Sequence, residues 1–148
     1  MTVSAPDRAA FFADVEAASQ NATYAALATV AAGEPRVRIV HPTWEGDTLW
    51  FATFTGSAKH RQLEATPTVE LQFQVAPPEF IHVVVRGQAS VESDAAERAR
   101  IWDVIDYDLS AFWSGGPTDE SYTAVRVTPE RVELSKLYGT QDRRVWQR

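Results

Sequence analysis

The residues of this chain best suited to chemistry are cationic side chains that follow a Gly-Ser turn. The stretch TFTGSAKHRQL, residues 53–63, places Lys59, His60 and Arg61 in a row just beyond an aromatic segment. Ser57 stands where a helix N-cap is expected, so a short helix should begin there. The first turn of a helix presents free backbone N–H groups and about half a positive charge, which suits a phosphate group. The stretch therefore predicts an anion site at a helix start.

The charge of this region differs from the charge of the whole protein. The chain has a net charge of −6, yet residues 35–63 hold four lysine or arginine side chains against two acids, which leaves +2. No acid occurs between residues 48 and 63. A local field of this kind would attract an anionic ligand. The alternative is a solvated basic rim, because exposed charges often contribute little.

Strand alternation adds a second cationic element to the anion site. Arg36 and Arg38 share one face of a predicted strand with Val40, while Val37 and Ile39 share the other face. If the apolar face lines the core, the arginine face lies outside, beside the start of the helix. The region therefore predicts an anionic ligand held by Arg38 and the turn before the helix.

Composition argues against several classes of protein. The net charge of −6 and a pI of about 5.0 disfavour binding to nucleic acid or to an anionic membrane. The chain has no cysteine, and its three histidines lack the i, i+4 spacing of a helical metal site, so we expect neither a disulfide nor a zinc centre. No apolar run is long enough to cross a bilayer, and the N-terminus lacks the pattern of a signal peptide. We therefore expect a cytoplasmic protein with no metal.

Hydrophobic periodicity predicts a mainly β domain over residues 1–148. Strands are predicted at 23–30, 36–44, 48–54, 68–75 and 80–91. Helices are predicted at about 5–19, at 57–66 and after residues 93–94. The segments YTAVRVT (122–128) and RVELSKL (131–137) are expected to form a final hairpin. So many short strands favour a small antiparallel barrel with helical covers, because closure removes exposed edges.

The ordered series of motifs resembles a known family. The stretch RVRIVHPTWEGDTLWFATFTGSAKHRQLEATPTVELQF, followed by RGQASV and FWSGGPTDESY, is similar to the pyridoxamine 5′-phosphate oxidase superfamily of FMN-binding split barrels, and in particular to its general stress protein 26 branch. The resemblance covers roughly residues 20–135. It implies a Greek-key split β-barrel and a homodimer with FMN at the interface.

The resemblance also implies the residues of a cofactor site. Arg38 and Lys59 would hold the FMN phosphate, and Ser57 would supply a hydroxyl. The ribityl chain and the flavin ring would be lined by Ile39, Val40, Ala52 and Thr53. His82 falls where the oxidases carry a polar side chain that reaches the flavin, and Trp113 would close the site from the partner chain.

Two departures from the family pattern limit what the resemblance implies. The oxidases have an arginine immediately before the phosphate lysine, where this chain has Ala58. They also end with an aromatic residue and an Arg-x-His cluster that binds the substrate phosphate, whereas this chain has Ser135 and no such cluster. We therefore expect an FMN-binding protein that is not a true pyridoxamine phosphate oxidase.

Several alternatives stay open on sequence alone. The cofactor could be the deazaflavin F420 or haem, which related branches use. The protein could be an oxidoreductase that passes electrons from a reduced nicotinamide to a small substrate, or a module that stores or senses flavin without turnover. No catalytic residue is assigned. His41 has no role beyond lining, and Asp103, Asp106 and Asp108 lack the pattern of a calcium loop and are expected to be solvated.

Overall fold

The computed structural model describes residues 1–148, which form an antiparallel sheet of eight strands and three α-helices. The helices are α1 (Arg8–Ala22), α2 (Ala58–Ala65) and α3 (Ala95–Val104). The strands are β1 (Ala25–Ala31), β2 (Glu34–Val40), β3 (Thr43–Glu45), β4 (Thr48–Phe54), β5 (Thr68–Phe73), β6 (His82–Val91), β7 (Tyr122–Lys136) and β8 (Gln141–Gln147). The predicted barrel with an N-terminal helix and two short helices is confirmed.

The sheet has the strand order β2-β1-β5-β6-β7-β4-β3, with β8 paired to β7. Alternate residues of these strands point into one core of 21 buried side chains, and α1 covers it. The ring of Phe12 on α1 lies 5.8 Å from that of Trp44 and 5.1 Å from that of Trp146. Edge-to-face aromatic contacts of this kind add to the burial of apolar area, so they fix the helix against the sheet.

A second, smaller core lies on the outer face of β4 and β7. Seven buried residues form it: Trp50, Ile101, Ile105, Leu109, Trp113, Tyr122 and Ala124. Because side chains alternate along a strand, Phe51 points into the barrel while Trp50 points into this outer core. The outer core fixes α3 and the segment after it against the end of β4.

The expected orientation of β2 is wrong. Val37 and Ile39 are 67% and 59% exposed, whereas Val40 is buried and Arg38 is half-buried. The reason is that α2 covers the arginine side of the strand, where Arg38 Nη2 donates to Gln62 Oε1 at 2.8 Å. The apolar side of β2 is therefore left open to solvent.

The predicted final hairpin is also wrong. Both of its segments belong to β7, a single strand of 15 residues, and the strand that pairs with its end is β8, which the sequence pattern did not reveal. The register of β6 and β7 shifts between Arg86 and Gly87, opposite Pro129. A bulge accommodates a proline because a bulged residue need not donate to the ladder.

The predicted helix starts agree with the structure for two of the three helices. Ser57 Oγ accepts from the backbone N–H of His60 at 3.2 Å, and Asp94 Oδ2 accepts from that of Glu97 at 2.8 Å. The first α-helix begins at Arg8, after a 3₁₀ turn over Ala5–Asp7, and continues to Ala22. No helix combines the length and the apolar character needed to cross a bilayer.

Candidate cofactor site

A cleft of about 170 Å³ opens between the ends of β2 and β4. These strands lie near opposite ends of the sheet order, so the cleft marks the place where the barrel is split. Its lining comes from both strands, from α2 and from the segment after α3: Ile39, Val40, His41, Ala52, Thr53, Phe54, Lys59, Tyr107, Phe112 and Trp113.

Six of the nine residues proposed from the sequence line this cleft: Ile39, Val40, Ala52, Thr53, Lys59 and Trp113. Two more lie beside it. Ser57 Oγ is 3.4 Å from Thr53 Oγ1, and Arg38 is close enough to Lys59 to affect its ionisation. Trp113, expected to close the site from a partner chain, lines the cleft of its own chain.

The cationic end of the cleft has no counter-ion. Burial, together with the neighbouring Arg38 guanidinium, lowers the pKa of Lys59. Arg38 is bonded to the neutral amide of Gln62, and neither cation forms a salt bridge with an acid. Two adjacent cations at the start of α2 therefore lack the negative charge that would offset their repulsion, and a phosphate would supply it.

The opposite wall of the cleft is aromatic. The rings of Phe54 and Trp113 are 4.8 Å apart, and Trp113 Nε1 donates to the carbonyl oxygen of Ser121 at 2.9 Å. Burial raises the pKa of Tyr107 to about 12, so its hydroxyl stays protonated at neutral pH. Flat apolar walls beside a cationic end suit a planar ligand that carries a phosphate.

Sequence reasoning missed three of the lining aromatic residues, Phe54, Tyr107 and Phe112, as ligand contacts. For Tyr107 and Phe112 the only signal was the density of aromatic residues in YDLSAFW, residues 107–113, and Phe54 lies at the end of β4. Thr55, one residue beyond the lining residue Phe54, has its hydroxyl bonded to that of Thr123, with the two oxygens 2.7 Å apart.

His82 does not join the cleft within one chain. It begins β6 and pairs with Ser135 near the end of β7, whereas the cleft lies beside Thr123 at the start of β7. The Nδ1 atom of His82 and the Oγ atom of Ser135 are buried and have no hydrogen-bond partner. The proposed contact of His82 with the cofactor therefore cannot be made by the chain whose cleft is occupied.

The three aspartates near the end of α3 do not form a metal site with other acids or histidines. Asp108 caps the following 3₁₀ turn, because its Oδ1 accepts from the backbone N–H of Ser110 at 3.0 Å. Asp106 Oδ1 lies 3.0 Å from His41 Nε2.

A protein-family model described as pyridoxamine 5′-phosphate oxidase matches residues 11–136 of the chain. The chain belongs to the pyridoxamine 5′-phosphate oxidase family. No curated protein matches it.

Solved structures agree with this assignment of the fold. A protein of Clostridium acetobutylicum related to general stress protein 26 is 17% identical, with a TM-score of 0.75, and the match covers 93% of this chain and 94% of that one. A pyridoxamine 5′-phosphate oxidase-related, FMN-binding protein of Nostoc punctiforme PCC 73102 is 22% identical, with a TM-score of 0.73 and coverages of 98% and 92%. An F420 reductase is 26% identical, with a TM-score of 0.61 and coverages of 79% and 94%. The fold is thus the split barrel of this family.

The unpaired cations lead to a prediction about stability. Lys59→Met should raise the free energy of unfolding of the ligand-free protein, by less than about 1 kcal/mol because solvent screens a half-exposed ammonium group. The penalty is complete below the lowered folded-state pKa of Lys59 and declines as the pH rises from there to the ordinary lysine pKa, so the gain should shrink at alkaline pH. Urea denaturation in buffer without phosphate measures it.

Inorganic phosphate should reverse this order of stability. It should stabilise the wild type more than Lys59→Met, because it binds more tightly where Lys59 and Arg38 are both present. Arg61→Met, which removes an exposed cation from the same helix, is the control and should give no gain. A Lys59→Met protein less stable than the wild type at every pH would contradict the uncompensated charge.

Proposed function

We propose that this protein binds FMN in the cleft, with the phosphate held by Arg38, Ser57 and Lys59. The observation that carries the proposal is a pair of cations without a counter-ion, Lys59 in the first turn of α2 and Arg38 on the neighbouring strand β2, in a protein of net charge −6. Charge-assisted hydrogen bonds to a phosphate would offset their repulsion. The Thr53 hydroxyl and the backbone of β2 lie along the same cleft and would orient the rest of the ligand.

The two cations at one end of the cleft, Arg38 and Lys59, favour a cofactor that carries a phosphate, which FMN does and haem does not. F420 is the second candidate, because a similar structure is named an F420 reductase. It also carries a planar ring system and a phosphate, so it enters the same binding test.

The cleft of a single chain is too small for the whole cofactor. Its volume of about 170 Å³ falls below the ~300–1,000 Å³ usual for small-molecule sites. The apolar side chains of Val37, Ile39, Phe54 and Phe112 are exposed around it. Exposed apolar clusters of this kind are typical of protein interfaces. The proposal therefore includes a homodimer in which a second copy covers the cleft and its His82 reaches the cofactor.

The reaction proposed is a flavin-dependent oxidation or reduction of a small molecule in the cytoplasm. When bound, FMN would supply the redox chemistry, a hydride transfer from a reduced nicotinamide followed by electron transfer to a small acceptor. The chain binds the phosphate, orients the ring between aromatic walls and keeps water from it. The competing proposal is a module that stores or senses flavin. It is favoured by Ser135, which stands where the oxidases carry an aromatic residue and which is buried away from the cleft.

Binding of FMN tests the phosphate site. Arg38→Ala and Lys59→Ala should each weaken FMN binding about tenfold or more, because each removes a charge-assisted contact. Neither should weaken riboflavin, which lacks the phosphate. Quenching of flavin fluorescence measures both, and F420 is titrated alongside.

The matched control for this titration is Arg36→Ala. Arg36 lies on the same face of β2 but is exposed and paired with Glu34 at 3.0 Å. Its removal should change FMN affinity less than about twofold. Equal FMN binding by the wild type and by both site variants would exclude the phosphate assignment.

Anaerobic reduction separates the enzyme from the binding module. If the protein is an oxidoreductase, NADH or NADPH should bleach the absorption band of the FMN-loaded protein faster than that of free FMN. Stopped-flow absorbance gives the two rates. Equal rates with both donors would leave the binding module as the function.

Substitution on the open face of β2 tests the dimer. Val37→Glu places a charge on the apolar face without changing a residue that lines the cleft. It should convert a dimer to a monomer in light scattering and weaken FMN binding at the same time. Gln72→Glu, on an exposed position of β5, adds the same charge elsewhere and should do neither. A wild type that binds FMN as a monomer would refute the shared site.

A further inference from the structure

Only one of the three consecutive basic residues at the start of α2 lines the cleft. Lys59 does so, whereas His60 and Arg61 do not. These two side chains bind the backbone of Gly56 instead. His60 Nδ1 accepts from the Gly56 N–H at 2.8 Å, and Arg61 Nη1 donates to the Gly56 carbonyl oxygen. Two side chains of the helix therefore hold the turn that precedes it.

Gly56 is the most adaptable point of this turn. Its φ of 74° lies in the left-handed region, which glycine adopts without strain, and a Cβ atom there would meet open space. The residue is exposed, so packing does not hold its backbone. Besides the hydrogen bond from the Ser57 N–H to the Phe54 carbonyl oxygen, 3.1 Å long, the bonds of Gly56 with His60 and Arg61 are what fix the turn.

The same histidine also holds the Ser57 hydroxyl. The backbone N–H of His60 donates to Ser57 Oγ at 3.2 Å, and this oxygen lies 3.4 Å from Thr53 Oγ1, which lines the cleft. A hydroxyl has two lone pairs and one proton. Because the His60 N–H uses a lone pair, the Ser57 proton can still be donated to an anion in the cleft.

The hydrogen bond from Gly56 defines the state of the His60 ring. A ring nitrogen that accepts from an N–H group carries no proton, so Nδ1 is unprotonated and the ring proton is on Nε2. Nε2 lies 3.3 Å from Glu64 Oε1 but is buried without a hydrogen-bond partner. The ring, whose side chain is only 12% exposed, is therefore oriented by Gly56 and not by Glu64. In this arrangement His60 is a neutral acceptor and not a third cation for the phosphate.

We propose that His60 is a positioning residue for the phosphate of the ligand: its Nδ1 atom and its backbone N–H hold the Gly56–Ser57 turn, which keeps the Ser57 hydroxyl at the cationic end of the cleft. This inference rests on the proposed function and deepens it, because it separates the groups that bind the phosphate from the group that positions them. Without the ring acceptor, the turn would have to be ordered when the ligand binds, and that ordering costs affinity.

The test compares FMN with riboflavin, which lacks the phosphate. His60→Leu removes the ring acceptor and should weaken FMN binding about three- to tenfold, the cost of one neutral hydrogen bond, while riboflavin affinity changes less than about twofold. His60→Asn carries an acceptor oxygen near the position of Nδ1 and should recover most of the loss. Quenching of flavin fluorescence gives each affinity. Unchanged FMN binding by His60→Leu, an equal loss for both ligands, or no recovery in His60→Asn would overturn the proposal.

The matched control is Glu64→Gln, which removes the charge beside Nε2 and leaves the bond with Gly56 in place. It should change FMN affinity less than about twofold. A loss as large as that of His60→Leu would show that Glu64 orients the ring, and would contradict the role of Gly56.

Nitrogen NMR tests the same arrangement in the wild type. The Gly56 amide nitrogen and His60 Nδ1 should show a coupling through their hydrogen bond at neutral pH, with Nδ1 unprotonated. The coupling should persist when inorganic phosphate is added until the Ser57 amide signal shifts, because His60 holds the turn and does not bind the anion itself. A protonated Nδ1, or a coupling that phosphate abolishes, would refute the proposal.

The failures of the two proposals can be told apart by the same titrations. A wild type that binds neither FMN nor riboflavin would refute the proposed function together with this inference. A protein whose FMN affinity depends on Arg38 and Lys59 but is the same in His60→Leu would refute only the role of His60.

Discussion

The burial of β4 on both faces is the constraint on which the rest of the structure depends: its inner face lies in the barrel core, and its outer face is covered by α3 and the segment after it. Phe51 points into the barrel core and Trp50 into the outer core, and both are essentially inaccessible to solvent. The Trp50 indole is held further by donation from Nε1 to Glu45 Oε1 at 3.2 Å and by the Arg126 guanidinium 4.8 Å from its ring. A strand packed on both sides cannot shift, so Thr53 at its end has a fixed position.

The outer core also fixes the position of the aromatic wall of the cleft. Trp113 packs against Tyr122 with centroids 5.6 Å apart, and Tyr122 is the first residue of β7. The segment after α3 would otherwise be a long loop, and loops move more than the elements they connect. Here buried aromatic contacts tie it to β4, so the wall faces a rigid strand end and the cleft keeps its shape in the ligand-free chain.

Electrostatics separates the candidate site from the remaining surface. Elsewhere most of the arginines have acids beside them: Arg100 contacts Glu45 at 2.5 Å, which lowers the pKa of that carboxyl group, and Arg131 contacts Glu133 at 2.9 Å. Arg38 and Lys59 have no such partners, and the pKa of Lys59 is lowered instead. Charged groups that destabilise a folded protein are often found at binding sites, where the ligand supplies the missing charge. The contrast within one chain is what makes the site stand out.

Local sequence by itself determined the helix start at Ser57, the cations beside it and most of the strands, because capping, charge and alternation depend on near neighbours along the chain. Of the six predicted residues that line the cleft, the charge pattern gave Lys59, and the family resemblance implied the other five. Only the tertiary structure decided which face of β2 is exposed to solvent. Alternation defines two faces, and the contact of Arg38 with Gln62 of α2 places the arginine face under the helix. Three further features follow from contacts between residues distant in sequence. The strand β7 continues past Pro129, His82 on β6 pairs with Ser135 far from the cleft, and His41 contacts Asp106. Those pairings depend on how the whole sheet closes, and no short stretch of the chain contains that information.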